Sequence, residues 1–220
     1  MVRSWNRFIT GDPPDRQNLH LAFVLAAPKG VVCDPVPDSF RKGDSVADSG
    51  IHALSQRKPS IMNPLIDLKS DDYFMGEALR QARHAYAADE VPVGAVIIKD
   101  GHIIARAYNQ VECLKDATAH AEILALTQAQ SVVEDWRLQG CTLFVTKEPC
   151  PMCAGAIVHC RLDRVVYGLS DPKAGAAGAA MNLLQFPTLN HQCDITQGVQ
   201  EHACHQLIQS FFREKRGGKA

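Results

Sequence analysis

The chain has 220 residues, of which 46% are hydrophobic, and its formal net charge is -1 at pH 7. This length allows one domain and a further segment, and the apolar fraction is ordinary for a globular protein. No apolar run approaches the roughly 18 residues of a membrane-spanning helix, so we expect no membrane partner. Because the net charge is close to zero, any contact with nucleic acid must depend on a local basic patch.

Residues 1–69 differ in composition from the rest of the chain. Turn-forming clusters such as Asp-Pro-Val-Pro-Asp at 34–38 alternate with one apolar island at 19–27. That island is a poor signal-peptide core, because two aspartates lie just ahead of it and no clean basic segment precedes it. We expect a disordered N-terminal extension, and a translation start at Met62 or Met75 is an alternative.

An ordered domain is predicted from residue 70 to residue 216, followed by a short tail at 217–220. Ser70 can cap a helix whose first turn carries two acidic residues, and apolar residues recur at helical spacing as far as Tyr86.

Strands and helices alternate after this first helix. The run 91–98 is continuously apolar, as in a central strand, and Asp-Gly at 100–101 predicts a hairpin turn into a second strand at 103–108. Further strands are predicted at 142–146, 164–168 and 193–196, and further helices from 120, from 153 to about 159 and from 199 to about 215. This alternation predicts an α/β protein, a three-layer α-β-α sandwich with a mixed sheet of about five strands.

One histidine and two cysteines form a potential zinc site. Residues 118–122 read Thr-Ala-His-Ala-Glu, and residues 148–153 read Glu-Pro-Cys-Pro-Met-Cys. Ligands from His120, Cys150 and Cys153 would leave a fourth position for water, which is typical of catalytic zinc, whereas a structural site needs a fourth protein ligand. We therefore predict one Zn²⁺ per chain.

The spacing of these residues indicates where they lie on their helices. Cys150 and Cys153 are three apart and can converge on one ion from one helix face, with Pro151 in the first turn. The positive end of that helix favours thiolates. His120 and Glu122 are two apart and share no helix face, so they can meet one ion only at a helix N-terminus. We therefore expect two helix N-termini to face each other across the metal.

The order of the two motifs indicates the chemistry. His-x-Glu followed by Pro-Cys-x-x-Cys is the signature of zinc nucleobase deaminases, in which the glutamate moves protons, so Glu122 is the candidate catalytic acid and base. A Cys-x-x-Cys pair alone would be weak evidence, because redox and structural zinc sites share it. A catalytically inactive zinc-binding module is an alternative, but such a module has no need of Glu122.

The six other cysteines bear on the compartment. In a chain of this length, two cysteines in a metal pattern favour a reducing environment over a secreted disulfide scaffold, so we expect a cytoplasmic protein. The remaining cysteines are expected to be free thiols, most of them buried: Cys33, Cys113, Cys141, Cys160, Cys193 and Cys204.

Residues from about 71 to 216 closely resemble the bacterial tRNA adenosine deaminases, which have the cytidine-deaminase-like fold. Besides the zinc motifs, the resemblance rests on Glu-Val-Pro-Val-Gly-Ala-Val at 90–96, Asp-Pro-Lys-Ala-Gly-Ala at 171–176 and Phe-Phe-Arg at 211–213. The last two segments favour the tRNA branch over free-base or nucleotide deaminases such as guanine or cytosine deaminase, which are the alternative.

This resemblance implies a reaction and its partners. The reaction would be hydrolytic deamination of the wobble adenosine in a tRNA anticodon to inosine, by zinc-activated water with Glu122 as the proton shuttle. The family is a homodimer whose subunits both contact the anticodon stem-loop.

The resemblance also implies substrate contacts: a purine edge held by Asn109 and the backbone at Ala121, a pocket wall near Val91 and Val93, and an RNA backbone contact from Asp171. Asn109 and Asp171 also have a simpler interpretation as turn formers.

Two further features have open interpretations. Lys147 stands where many family members have leucine, and it either meets an RNA phosphate or is solvated. Phe211 and Phe212 are expected to pack in the closing helix and a dimer rather than to stack on bases.

Overall fold

The structure is a computed structural model and describes residues 67–217. The elements are α1 (Asp71–Ala87), β1 (Gly94–Lys99), β2 (His102–Tyr108), α2 (Val111–Leu114), α3 (Ala121–Val133), β3 (Cys141–Lys147), α4 (Pro151–His159), β4 (Arg164–Leu169), β5 (Asp194–Gln197) and α5 (Glu201–Gly217). Nearly all of the predicted N-terminal extension, and residues 218–220 of the predicted tail, lie outside the described residues.

The central sheet is mixed, with the strand order β2-β1-β3-β4-β5. β1 pairs antiparallel with both β2 and β3, whereas β3, β4 and β5 run parallel to one another. The β1–β2 connection is the predicted tight turn, since Asp100 and Gly101 both have positive φ, 51° and 76°, as a two-residue hairpin of this type requires. The parallel β3–β4 pair needs a crossover, which α4 provides.

Helices cover both faces of the sheet and complete the predicted three-layer sandwich. Alternate residues of the continuously apolar strand β1 enter different cores, which explains why the strand lacks polar positions. Ala95 and Ile97 pack with the helices α3 and α4, and Val96 and Ile98 pack with α1 and α5. The carboxyl end of β3 and the N-terminal ends of α3 and α4 lie beside the first of these cores.

The predicted elements are present, with shifts of a few residues at their ends. Ser70 caps α1, and its Oγ accepts from the backbone N–H of Tyr73 at 3.2 Å. β1 begins at Gly94 rather than at Val91, because the chain makes a tight turn in which Val93 N donates to Val91 O at 2.7 Å. The four-residue α2 was not predicted, and it has no buried residue that would give an apolar period.

The predictions about free cysteines and about membrane-spanning helices can also be compared with the described part of the chain. Cys141, Cys160, Cys193 and Cys204 are buried free thiols and Cys113 is an exposed one, while Cys33 lies outside the described residues. Within residues 67–217, no helix combines the length and the apolar character needed to cross a membrane.

Candidate active site

The three potential metal ligands meet where the N-termini of α3 and α4 face each other. His120 is the N-cap residue of α3, and Cys150 is the N-cap residue of α4 with Pro151 directly after it. Nδ1 of His120 lies 3.7 Å from Sγ of Cys150 and 3.5 Å from Sγ of Cys153. The predicted arrangement of two helix N-termini is therefore present, and it directs the side chains of the two cap residues, His120 and Cys150, towards each other.

The chemistry of this group fits a zinc ion. One ligand atom from each of His120, Cys150 and Cys153 lies within 4.8 Å of the other two, and the described residues contain no second group of this kind. Thiolate and imidazole ligands together suit zinc, and three protein ligands leave a position for water.

The electrostatics of the group favour a thiolate at neutral pH. Hydrogen bonding from the Cys153 thiol, and then from His120, lowers the pKa of Cys150 to about 3. The same contact with Cys150, together with burial, raises the pKa of Cys153. The hydrogen bond between His120 and Cys150 is also the main reason why the pKa of His120 is raised. The two partners therefore hold a negative charge on Cys150, and a metal cation would compensate this charge.

Glu122 lies in the first turn of α3 and is only 3% exposed. Burial is the main cause of its raised pKa, and the neighbouring His120 partly opposes that shift. Glutamate is one of the side chains that act as a general acid and base, and burial is a common way in which proteins raise its pKa for that role. Its position beside the ligand group makes Glu122 the carboxyl that is available for proton transfer there.

Asn109 is buried at the end of β2, and a carboxylate holds its side chain. Its Nδ2 donates to Oε2 of Glu90 at 3.1 Å, while Oε1 of Glu90 accepts from the backbone N–H of Cys113 at 2.7 Å. Because both Glu90 oxygens accept, the amide nitrogen of Asn109 must face Glu90. Glu90 therefore fixes the orientation of the amide for which the family resemblance implies a role in purine binding.

Backbone hydrogen bonds bring the other predicted substrate residues towards the same place. Asn109 N donates to Val93 O at 3.0 Å, and the next residue, Gln110, donates to Ala119 O at 3.0 Å. The Val91–Val93 turn is thus joined through the end of β2 to the segment that enters α3. Ala121 is buried at the first position of α3, whereas Val91 is exposed.

Asp171 forms an ion pair with Lys147, which ends β3. Its Oδ1 also accepts from the backbone N–H groups of Lys173 and Ala174 at 3.1 and 3.2 Å. The hydrogen bond from Lys147 is the main cause of the lowered pKa of Asp171. Lys147 is thus paired rather than simply solvated, and Asp171 organises its own loop as a turn former does.

Glu148 is another buried carboxylate, and the sequence analysis assigned it no role. Its two oxygens accept three backbone hydrogen bonds from the loop that begins at Asp171. Glu90 and Glu148 share a sequence feature, since each is a glutamate near one end of a predicted strand and within two residues of a proline. Charged residues in such positions are rarely buried without partners, so each marks a carboxylate that needs donors from elsewhere in the chain.

Comparisons with known proteins show that most of this chain is similar to deaminases. A family model for the MafB19-like deaminases matches residues 69–216. The tRNA-specific adenosine deaminase of Bacillus subtilis (strain 168) is 47% identical over 152 residues, which are 69% of this chain and 94% of that protein.

Two solved structures differ in how similar they are to this chain. One, from work on A-to-I editing by tRNA:A34 deaminases at the wobble position of transfer RNA, is 43% identical with a TM-score of 0.60, over 61% of this chain and 98% of that chain. The other, a guanine deaminase from Nitrosomonas europaea, is 25% identical with a TM-score of 0.57, over 72% of this chain and 96% of that chain.

The matched segment contains every residue of the candidate site, from Glu90 to Asp171. The similarity to the tRNA-specific enzyme is much higher than that to the guanine deaminase. Both the family resemblance and the cytidine-deaminase-like fold expected from the sequence are thereby confirmed. This chain belongs to the family of the tRNA-specific adenosine deaminases, within the MafB19-like deaminases.

Proposed function

We propose that this protein deaminates the wobble adenosine of a tRNA anticodon to inosine. The observation that carries the proposal is the convergence of His120, Cys150 and Cys153 beside the buried Glu122. The 47% identity to the Bacillus subtilis enzyme supports the choice of substrate. The overall reaction consumes one water and releases ammonia.

Zinc is the metal that we propose for this site, one ion per chain, held by His120, Cys150 and Cys153. When bound, zinc would polarise a water molecule and lower its pKa towards neutrality.

Glu122 supplies the proton transfers of the proposed mechanism. It takes a proton from the water as a bond forms between oxygen and the carbon that bears the adenine amino group, and it passes this proton to the ring nitrogen. It then takes the remaining proton of the added hydroxyl group and gives it to the departing amine as the carbon–nitrogen bond breaks, which releases ammonia and leaves a carbonyl group. Burial keeps bulk water away from Glu122, so its proton passes to the substrate rather than to solvent.

Substrate recognition is proposed to use the residues around this centre. Asn109, oriented by Glu90, and the backbone at Ala121 bind the purine edge, and Val91 and Val93 border the pocket. Asp171 contacts the RNA backbone beside the target nucleotide. A base in an anticodon loop is single-stranded, so it can leave its stack at low cost and reach a buried metal centre.

A homodimer, with both subunits touching the anticodon stem-loop, is part of the proposal. Apolar side chains that are exposed in the single chain support it, among them Met152 on α4 and Phe212 on α5. Phe211 is buried and packs edge-to-face on Tyr86, so only Phe212 of the pair remains for an intermolecular contact. A tRNA substrate would place the enzyme in the cytoplasm.

The test is direct. The purified protein is incubated with a transcribed anticodon stem-loop that carries adenosine at the wobble position, and inosine is detected by sequencing. A stem-loop with the adenosine moved to another loop position serves as the substrate control. Inosine at the wobble position alone is the expected result. Free guanine, cytidine and adenosine are assayed in parallel, and turnover of a free base or nucleoside without stem-loop editing would replace the proposal with the free-base alternative.

A further inference from the structure

Glu148 is a buried carboxylate that joins two parts of the candidate site. It is 2% exposed and lies two residues before the metal-ligand position Cys150. No lysine or arginine of the described residues forms an ion pair with it. A buried charge without a cation must be stabilised by hydrogen bonds, and its partners therefore show what it holds in place.

The side-chain carboxylate of Glu148 accepts three hydrogen bonds, all of them from backbone N–H groups of one loop. Oε2 accepts from Asp171 at 2.8 Å, and Oε1 accepts from Ala177 at 2.9 Å and from Ala179 at 3.0 Å. The loop is therefore wrapped around the carboxylate from its first residue to its ninth. Hydrogen bonds to an ionised acceptor are about twice as strong as those between neutral groups, so this loop is held firmly.

The fit between loop and carboxylate is close. A Cβ atom placed on Gly175 would lie 2.2 Å from Cδ of Glu148, so this position has no room for a side chain. A further hydrogen bond, from Ala176 N to Pro149 O at 2.8 Å, ties the loop to the residue between Glu148 and Cys150. The loop and the metal-ligand segment thus form one unit.

We propose that Glu148 is a positioning residue that sets where Asp171 stands relative to the metal centre. It binds the backbone N–H of Asp171, while Lys147, the residue before Glu148, binds the Asp171 carboxylate. Neighbouring residues at the end of β3 therefore hold Asp171 by its backbone and by its side chain. The inference rests on the proposed function, because the stem-loop is the ligand that Asp171 contacts.

The test is a double-mutant cycle on zinc-loaded protein. Glu148→Gln keeps the shape of the side chain but replaces one accepting oxygen with an NH₂ group. This group is a donor and must face a backbone N–H, which is also a donor, so a hydrogen bond is lost. Affinity for the anticodon stem-loop should fall about tenfold, as for the loss of a buried hydrogen bond. In the Asp171→Ala background, Glu148→Gln should weaken binding little further, because its effect acts through Asp171.

Glu77→Gln is the matched control. Glu77 is also a buried glutamate, but it pairs with Arg80 and Arg106 on α1 and β2. This control should leave stem-loop affinity unchanged. Two outcomes would overturn the proposal. If the losses of stem-loop affinity multiply in the double variant, Glu148 acts on overall stability and not through Asp171. If Glu148→Gln loses zinc, Glu148 acts on the metal ligands.

A measurement on the unaltered protein covers the case in which Glu148→Gln does not fold. Amide hydrogen exchange should show the backbone N–H groups of Asp171, Ala177 and Ala179 protected to a similar degree, since one carboxylate holds all three. Free exchange at Asp171 would overturn the proposal. The unaltered protein could also fail to edit the stem-loop while these amides are protected. The proposed function would then be wrong, but the conclusion that Glu148 holds the loop would stand.

Discussion

At the scale of single residues, the candidate site combines side chains whose pKa values are shifted in opposite directions. Contact with Cys153 and His120 lowers the pKa of Cys150, which favours a thiolate ligand. Burial raises the pKa of Glu122, which favours a carboxyl that exchanges protons. The two groups lie at facing helix ends, so one small volume contains both a thiolate suited to a metal ion and a buried carboxyl group.

Metal content tests the ligand assignment. The purified protein should contain about one zinc per chain. Cys150→Ala and Cys153→Ala should each lose most of it, because a site with two protein ligands binds zinc much less tightly. Elemental analysis of both variants against the unaltered protein checks this, with Cys113→Ala as the control, since Cys113 is an exposed cysteine outside the group. Full zinc content in either ligand variant would contradict the assignment.

Substitution of Glu122 separates binding from chemistry. Glu122→Ala should keep its zinc, its fold and its affinity for the stem-loop, because zinc does not need this carboxylate as a ligand. Its single-turnover rate should fall by about two to four orders of magnitude, the range for a removed general acid and base. Zinc content, affinity and rate are measured on the same preparation. Near-normal turnover would show that the assigned mechanism is wrong.

At the scale of elements, strand β3 and the turn after it organise the site. β3 is a central strand, paired with both β1 and β4. Its end carries Lys147 and Glu148, which hold the loop at Asp171, and α4 then begins with Cys150 as its N-cap. One central strand thereby positions the proposed metal-ligand segment and the loop at Asp171 together.

The Lys147–Asp171 pair should contribute a small, pH-dependent share of stability. Lys147 lowers the folded-state pKa of Asp171, so this contribution is fully present above the unfolded pKa of about 3.9 and is lost as the pH falls through the folded value. Lys147→Met should therefore lower the free energy of unfolding by at most about 1 kcal/mol at pH 7, given a partly exposed pair.

Urea unfolding of both proteins checks the pH dependence. A chelator is present throughout, so that loss of metal in acid does not enter the comparison. The difference between Lys147→Met and the unaltered protein should shrink between pH 7 and pH 3. A difference that grows in acid would mean that Lys147 stabilises the fold by packing rather than by its charge.

At the scale of the whole molecule, the three layers are complete within residues 67–217. Among the described residues, the sheet has an apolar core on each of its two faces. The Bacillus subtilis relative is matched over 94% of its length by 152 residues of this chain. The deaminase domain is therefore expected to be an independent unit.

Truncation tests this independence. Deletion of residues 1–61 should leave zinc content, thermal stability and stem-loop editing largely intact, because the composition of that segment does not provide a core. The full chain is the control under identical conditions. An insoluble or inactive truncated protein would show that the segment is part of the working structure.

The sequence alone determined the features that depend on local spacing. The metal ligands His120, Cys150 and Cys153 could be assigned as candidates because helix geometry relates residues a few positions apart. The strands of the core could be predicted because burial on both faces demands continuous apolar runs. The Asp-Gly pair indicated the hairpin because few residues accept positive φ.

Only the tertiary structure decided the contacts between distant segments. Lys147 and Asp171 are 24 residues apart, and Glu90 and Asn109 are 19 apart. Glu148 binds backbone groups 23, 29 and 31 residues away, through hydrogen bonds that any residue but proline can donate. Such donors leave no mark in the sequence, and their meeting depends on which strands become neighbours in the sheet. The motifs therefore predicted which residues are candidates for the chemistry, whereas the packing of β3 against β4 decided which contacts hold them in position.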